Sequence, residues 1–363
     1  MVNVGDRHVV VGAGVMGLAC ALEIRRRGFE VTVFERGVPG REATWAAAGV
    51  VAPHHFGATP GPLYELLRRS RALYPTFIAS LGAADVHWNE SGAIAVARTI
   101  DEAEELESRV AWLAADGYDA HTIGRSKLRE LEPACTGACV GAAFFSGDAY
   151  INPRSLAIAL EQAAVAAGVR VRSGVPVRAI QTNGERVTGI TLDDGEMSAI
   201  GVILAAGAWS AGLAPGFRIP IRPIKGQMCS VQSDSLGRPV IHSEGVIIPR
   251  TGGLVAIGAT VEDVGFDPRI DPSAIDEVRL QAAEIVPALA DAAIVETWSG
   301  FRPRAADGFP VIGRSPISGL VIATGHYTKG IAMAPVTAKL VADIVCDDRY
   351  DPLLAPFSPG RFA

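Results

Sequence analysis

The chain has 363 residues, which at roughly 150 residues per domain is enough for two or three domains. Charged residues make up 20% and apolar residues 49%, which excludes an intrinsically disordered chain; a body of this size folds without disulfides or metal clips. The net charge is −6 and no cationic run exceeds Arg25-Arg26-Arg27, so nucleic acid is excluded as a partner and that triplet reads as the solvated C-terminus of a helix.

Glycine is over-represented, with 40 residues, yet there is no G-X-Y period and no Gly/Ser linker. The glycines therefore serve individual backbone positions. Five cysteines are too few for a disulfide scaffold, and Cys135 and Cys139 form one C-x3-C pair without a second pair or a nearby His, so no metal site is expected. There is no basic n-region at the start and no run of 18 apolar residues, so neither a signal peptide nor a membrane span is expected. A reducing, cytoplasmic compartment fits these counts.

In chain order, His8-Val9-Val10-Val11 is a β-rich run that meets Gly12-Ala13-Gly14-Val15-Met16-Gly17 at once. Residues 18–27 read as a helix stopped by Gly28, and 30–34 as a second strand ending at Glu35. Gly12 permits the turn, Gly14 lets a pyrophosphate approach the backbone, and Gly17 lets the helix pack on the strand. The helix N-terminus offers free N–H groups to phosphates, and Glu35 suits a ribose hydroxyl. Strand, glycines, helix, strand and acid all fall at dinucleotide-binding spacing, which does not separate NAD from FAD. The following 41–53 stretch is small and nearly uncharged. Such residues either let backbone lie against a planar ring or begin a buried helix at Ala46–Ala48.

Further on, Asn152-Pro153 predicts a capped helix ending at Gly168. Residues 169–172, 175–180 and 187–192 read as strands, with turns at Asn183-Gly184 and Asp194-Gly195. Residues 201–209 read as a buried strand entering a small-residue turn, and helices are expected near 101–115 and 273–289. A strand at 320–323 leads through Gly325 to a helix from about Gly330, a second strand–glycine–helix junction. Its N–H groups can stabilise negative charge.

Together, Gly12-x-Gly14-x-x-Gly17, Glu35, Thr44-Trp45-Ala46-Ala47-Ala48-Gly49, Trp298-Ser299-Gly300-Phe301-Arg302-Pro303, Asp307-Gly308-Phe309-Pro310-Val311-Ile312-Gly313 and Gly325-His326-Tyr327-Thr328-Lys329-Gly330-Ile331 resemble the glycine oxidase and D-amino acid oxidase family of FAD enzymes, with the bacterial glycine oxidase branch nearest. The resemblance spans nearly the whole chain. It implies a mixed α/β fold: a Rossmann-like FAD domain of the glutathione-reductase type, with a second substrate domain on an antiparallel sheet. The FAD domain would comprise 1–80, 150–215 and 296–363, and the substrate domain 81–149 and 216–295. Cofactor contacts are implied at Gly12, Gly14, Val15, Met16, Gly17, Glu35 and Arg36, then at Ala43, Thr44, Ala47, Ala48, Gly49 and Val50. Others are implied at Val177, whose backbone would face the adenine, at Gly207 and Trp209, and at His326, Tyr327, Thr328, Lys329, Gly330 and Ile331. A homo-oligomer is also implied.

Oxidising an amine at its α-carbon needs a hydride acceptor, a device to orient the carboxylate, and a neutral amine. Flavin is the acceptor. The resemblance places Arg302 at the substrate-binding arginine, where a guanidinium matches a carboxylate bidentately. Lys329 is either a cation beside the flavin or a solvent-facing side chain; His326 and Tyr327 read as packing or orienting residues. Two positions depart from the glycine oxidase pattern. Thr328 stands where that branch carries a second arginine, and Val246 where it carries a tyrosine, so a bulkier or N-substituted amino acid, or an atypical amine, competes with glycine as substrate. His242 and Glu244 are candidates for replacement contacts or a polar strand edge. Ala46 occupies the position of the attachment histidine in dimethylglycine-oxidising relatives, and no cysteine lies in 298–313, so FAD is expected to be non-covalent. The implied reaction is oxidative deamination with O2 as acceptor. Its alternatives are a dehydrogenase with another acceptor and a non-catalytic FAD-binding protein.

Overall fold

The computed structural model describes residues 7–56, 59–214 and 216–362. The first strand, Arg7–Val11, lies inside a six-stranded sheet and is buried on both faces, as a β-branched run in a parallel sheet should be. The sheet order is Val311–Arg314, Leu320–Thr324, Gly201–Leu204, Arg7–Val11, Glu30–Phe34 and Arg170–Arg172. All neighbours are parallel except the first pair. Helices Val15–Arg26, Pro153–Ala166 and Gly330–Asp347 share a core with one face. An antiparallel meander of Ala179–Thr182, Val187–Leu192 and Gly195–Ser198 covers the other.

Most expected elements form, with four physical corrections. The first helix begins at Val15, not Leu18, because Gly14 is its N-cap and Gly17 lies within its first turns. Residues 175–178 do not pair as a strand; the Val175 N–H donates to Glu35 O and the Arg178 N–H to Thr191 O, so this stretch crosses from sheet to meander. The helix expected at 273–289 is Pro272–Ile285 capped by Asp271, with a separate 3-10 turn at Pro287–Leu289, where Pro287 lacks an N–H. Finally, Arg25-Arg26-Arg27 is a helix end, as expected, but of the three only Arg26 is exposed to solvent. Arg25 reaches Glu30 and Ala167 O, Arg26 reaches Ser80 O, and Arg27 pairs with Glu23, Asp343 and Asp347, tying the first helix to the last.

The second large sheet has eight strands, beginning with the twelve-residue pair Ile294–Ala305 and Ile221–Gln232 and continuing through Leu254–Gly258, Gly245–Arg250 and Val240–His242 to Ala93–Ala97, Gly141–Phe145 and Ala120–Ile123. Side chains alternate between its faces. Cys229, Val231, Val240, Ile247, Val255 and Ile257 pack beneath helix Pro272–Ile285. Met228, Ile241, Ile248 and Ala256 face the other way, with Val246 and Trp298 against them. That second face is turned toward the six-stranded sheet, with Val50 and Ala52 among its contacts.

No helix among the described residues is long and apolar enough to cross a membrane. No group of three or more His, Cys, Asp or Glu among them converges as a metal site would require.

Candidate active site

A cavity of about 680 Å³ lies between the two large sheets, near the middle of the ~300–1,000 Å³ span of small-molecule sites. Every residue expected at the site lines it except Gly17. Gly17 acts behind the wall: a Cβ there would come within 1.8 Å of Gly12 O, so glycine alone lets the helix pack on the turn. Gly12 has φ +101°, and a Cβ on it would stand 2.5 Å from Ala205 O. Gly14, Val15 and Met16 bring the helix N-terminus to the cavity. The Val15 N–H donates to Thr44 Oγ1 at 3.0 Å, so a residue 29 positions later caps this helix. Glu35 is buried, and its carboxylate accepts from the Ala13 N–H (2.8 Å) and the Gly37 N–H (3.0 Å).

No buried helix begins at Ala46–Ala48, because Ala47 is already the extended cap of the turn before it. Ala43–Ala46 is one short helical turn, and Ala47, Ala48, Gly49 and Val50 continue as cavity wall. The eight-stranded sheet holds it in place. Trp298 Nε1 donates to Ala46 O (3.1 Å), Arg250 donates to Ala48 O and to Ile151 O (3.3 Å), and Gly300 meets Ala46 face to face, since a Cβ there would lie 2.4 Å from Ala46 Cβ. Burial lowers the Arg250 pKa to about 10. Val177 lines the same end, as do Gly207 and Trp209. Gly207 O accepts from Thr324 Oγ1 (3.1 Å) and Ser210 Oγ (2.8 Å), and Arg36 lies 3.5 Å above the Trp209 ring while pairing with Glu42.

Arg302 projects from strand Ile294–Ala305 on the cavity side. Its guanidinium lies over Gly226 of the neighbouring strand, where a Cβ would come within 2.2–2.4 Å of the guanidinium atoms. Nη1 donates to Thr260 O (2.9 Å) and Lys225 O (3.2 Å), and burial lowers its pKa. Among the described residues no carboxylate pairs with it. Gly226 and Gly300 stand directly opposite one another, so one glycine pair admits the guanidinium on one strand and the Ala46 loop on the other.

Val246 pairs with Gly258 and Ile241 and shares the face of Arg302. His242 is one residue further along, so alternation turns its imidazole to the opposite face, among Arg98, Glu102 and Glu284. Burial and Arg98 push its pKa down to about 4. It borders the cavity at the hairpin end, with its imidazole on the sheet face opposite to that of Arg302. Glu244 sits in the turn between these strands, paired with Arg98 and also bordering the cavity.

At the other junction, His326 is buried with Nε2 3.1 Å from Thr337 Oγ1, and burial pushes its pKa down to about 3. Tyr327 adopts φ +53°, a strained conformation for a side chain of its size. Thr328 is exposed; Lys329 lines the cavity, its pKa lowered by burial and then by Arg304. Gly330 and Ile331 open the last helix, whose N-terminus has no side-chain cap. Sequence reasoning missed Gly226, Gly300 as a spacer, Arg250 and Thr324. A glycine interrupting a β-rich run signals close approach, and that signal was present at Gly226 and Gly300.

The family described as DAO, FAD dependent oxidoreductase, matches residues 7–344. The bifunctional protein ThiO/ThiG of Synechocystis sp. is 33% identical over 98% of this chain, and the chain spans 54% of that relative, about half its length. The crystal structure of glycine oxidase from Geobacillus kaustophilus superposes with a TM-score of 0.94 at 32% identity, covering 99% of this chain and 100% of that one. Iminodiacetate oxidase from Chelativorans sp. BNC1 superposes at 0.89 and 29% identity, covering 97% and 99%. This chain therefore belongs to the DAO family of FAD-dependent oxidoreductases.

Proposed function

We propose that this protein oxidises a small amino acid, or an N-substituted one, at the carbon next to nitrogen. The observation that carries the reading is Arg302: a guanidinium at the cavity wall, resting on two carbonyls and lacking any carboxylate partner among the described residues. A substrate carboxylate would complete it through paired charge-assisted hydrogen bonds. Such orientation supplies part of the barrier without a general base, and His326, held neutral in the core, is left to orient the last helix through Thr337.

FAD suits the residues present. Gly14 at the cavity wall, the first helix N-terminus and Glu35 suit its pyrophosphate and ribose; the uncapped N-terminus at Gly330–Ile331 and the nearby Lys329 suit negative charge on its ring system. When bound, FAD supplies the two-electron acceptor and the path to oxygen. Among the described residues no cysteine lines the cavity. We assign 1–80, 150–215 and 296–363 to the cofactor side and 81–149 and 216–295 to the substrate side, with strand Ile294–Ala305 carrying Arg302 across the join.

The substrate preference leans away from glycine. Beyond Arg302 the same sheet face continues with Met228, Val246 and Ile241, an apolar surface that a bare glycine would leave uncovered. A solved relative named for iminodiacetate, a secondary amine, supports an N-substituted substrate. The test is anaerobic bleaching of the bound flavin by glycine, sarcosine, D-amino acids and cyclic imino acids, followed by admission of air. Bleaching by an N-substituted member and rapid recovery in air are expected; no bleaching by any member refutes the reading. Arg302→Ala should raise KM strongly, and an unchanged kcat/KM would remove its assigned role.

A further inference from the structure

We propose that Glu262 is a positioning residue for Arg302, acting through the two backbone carbonyls on which the guanidinium rests. The inference depends on the carboxylate-binding role given to Arg302 above.

The two carbonyls belong to Lys225 and Thr260, and both residues are fastened to one carboxylate. Glu262 Oε1 accepts from the Thr260 hydroxyl and from Gln227 Nε2 (2.7 Å), while Oε2 pairs with Lys225 Nζ at 3.2 Å. The backbones of Lys225 and Glu262 exchange hydrogen bonds of 2.9 and 3.0 Å, so Lys225 O receives both the Glu262 N–H and Arg302 Nη1. Thr260 Oγ1 also accepts the Gln227 N–H at 2.9 Å. Each of these side-chain links to the two carbonyl-bearing residues passes through Glu262 or its immediate partner Gln227.

The register explains why the carboxylate acts at one remove. Arg302 lies opposite Ile224, whereas Lys225 lies opposite Phe301, so the two cations leave the sheet on opposite faces. Lys225 is buried and Glu262 neutralises it there. A carboxylate touching Arg302 itself would compete with substrate. Placed behind the strand, Glu262 balances the Lys225 charge and sets the guanidinium direction, leaving the Arg302 charge for the ligand.

The test uses FAD-loaded protein and acetate, a carboxylate without an amine, with Kd read from the perturbation of flavin absorbance. Glu262→Ala and Thr260→Val should each raise the acetate Kd roughly tenfold, as loss of one ordering hydrogen bond implies. The KM for an oxidised amino acid should rise in parallel, while kcat changes much less. Thr260→Ser, which keeps the hydroxyl, should restore the parent Kd. In an Arg302→Ala background, Glu262→Ala should change nothing further. A parent-like Kd in both Glu262→Ala and Thr260→Val, or the same loss with and without Arg302, overturns the assignment. If Arg302→Ala alone leaves the acetate Kd unchanged, the carboxylate role of Arg302 fails first, and that result is separate from the other two.

Discussion

Gly226→Ala separates function from stability at one carbon atom. The residue sits in a regular strand without a positive φ, so alanine suits its backbone and, by restricting the unfolded chain, would add roughly 0.4–1 kcal/mol where there is room. The added Cβ would stand 2.2 Å from one guanidinium nitrogen of Arg302 and 2.4 Å from the next two atoms. Those atoms are the far end of a flexible side chain, so the arginine moves and the sheet stays. Two charge-assisted hydrogen bonds to a substrate carboxylate at ~1.5 kcal/mol each make about 3 kcal/mol, or roughly a 150-fold fall in kcat/KM. Steady-state peroxide release with the best substrate of the panel measures this, alongside Tm and FAD content. The expected pattern is a large catalytic loss with Tm and FAD retained. Parent kcat/KM in a folded Gly226→Ala protein would refute the placement of Arg302 over that glycine.

Three further substitutions probe the scaffold. Gly300→Ala brings a Cβ to 2.4 Å from Ala46, which is fixed in a helical turn and cannot swing aside, so overpacking of ~1–3 kcal/mol and a lower FAD-to-protein ratio after gel filtration are expected. Thr44→Val removes the cap on the Val15 N–H and should lower the stability of FAD-stripped protein by ~1 kcal/mol in urea melts; an unchanged midpoint would count against the cap. His326→Gln concerns pH. The imidazole titrates at about 3 when folded, against an ordinary histidine value of 6.5, so the unfolded chain binds the extra proton and stability falls as pH drops from 6.5 toward 3. The variant should make that slope shallower by up to about 1.4 kcal/mol per pH unit, and identical slopes would mean that His326 is not buried as a neutral ring.

The Gly12–Glu35 end of the cavity was legible because its signals are local: three glycines, an acid and a strand–helix junction fall within 30 residues. The end around Arg302 was less so. Strand Ile221–Gln232 contains Pro223 and Gly226, and its partner contains Gly300 and Pro303, so both carry residues that ordinarily punctuate a strand. The prolines face each other, as do the glycines, and only pairing makes sense of both. His242 could not be placed from sequence because one residue of register decides which face its ring takes. The Thr44 cap and the Arg27 contacts with Asp343 and Asp347 span 29 and more than 300 residues, beyond the reach of any local pattern.

The helix clamped by Arg27 has a consequence for synthesis. Strand Leu320–Thr324 and helix Gly330–Asp347 complete a sheet and a cavity wall that the first 50 residues begin. A nascent chain therefore displays the Gly12–Gly17 loop long before the opposite wall exists, and the apolar flank of helix Val15–Arg26 waits for helix Gly330–Asp347, made about 300 residues later. Tight FAD capture must follow synthesis of helix Gly330–Asp347, which leaves this early helix exposed to misassembly or chaperone capture while the ribosome is still at work.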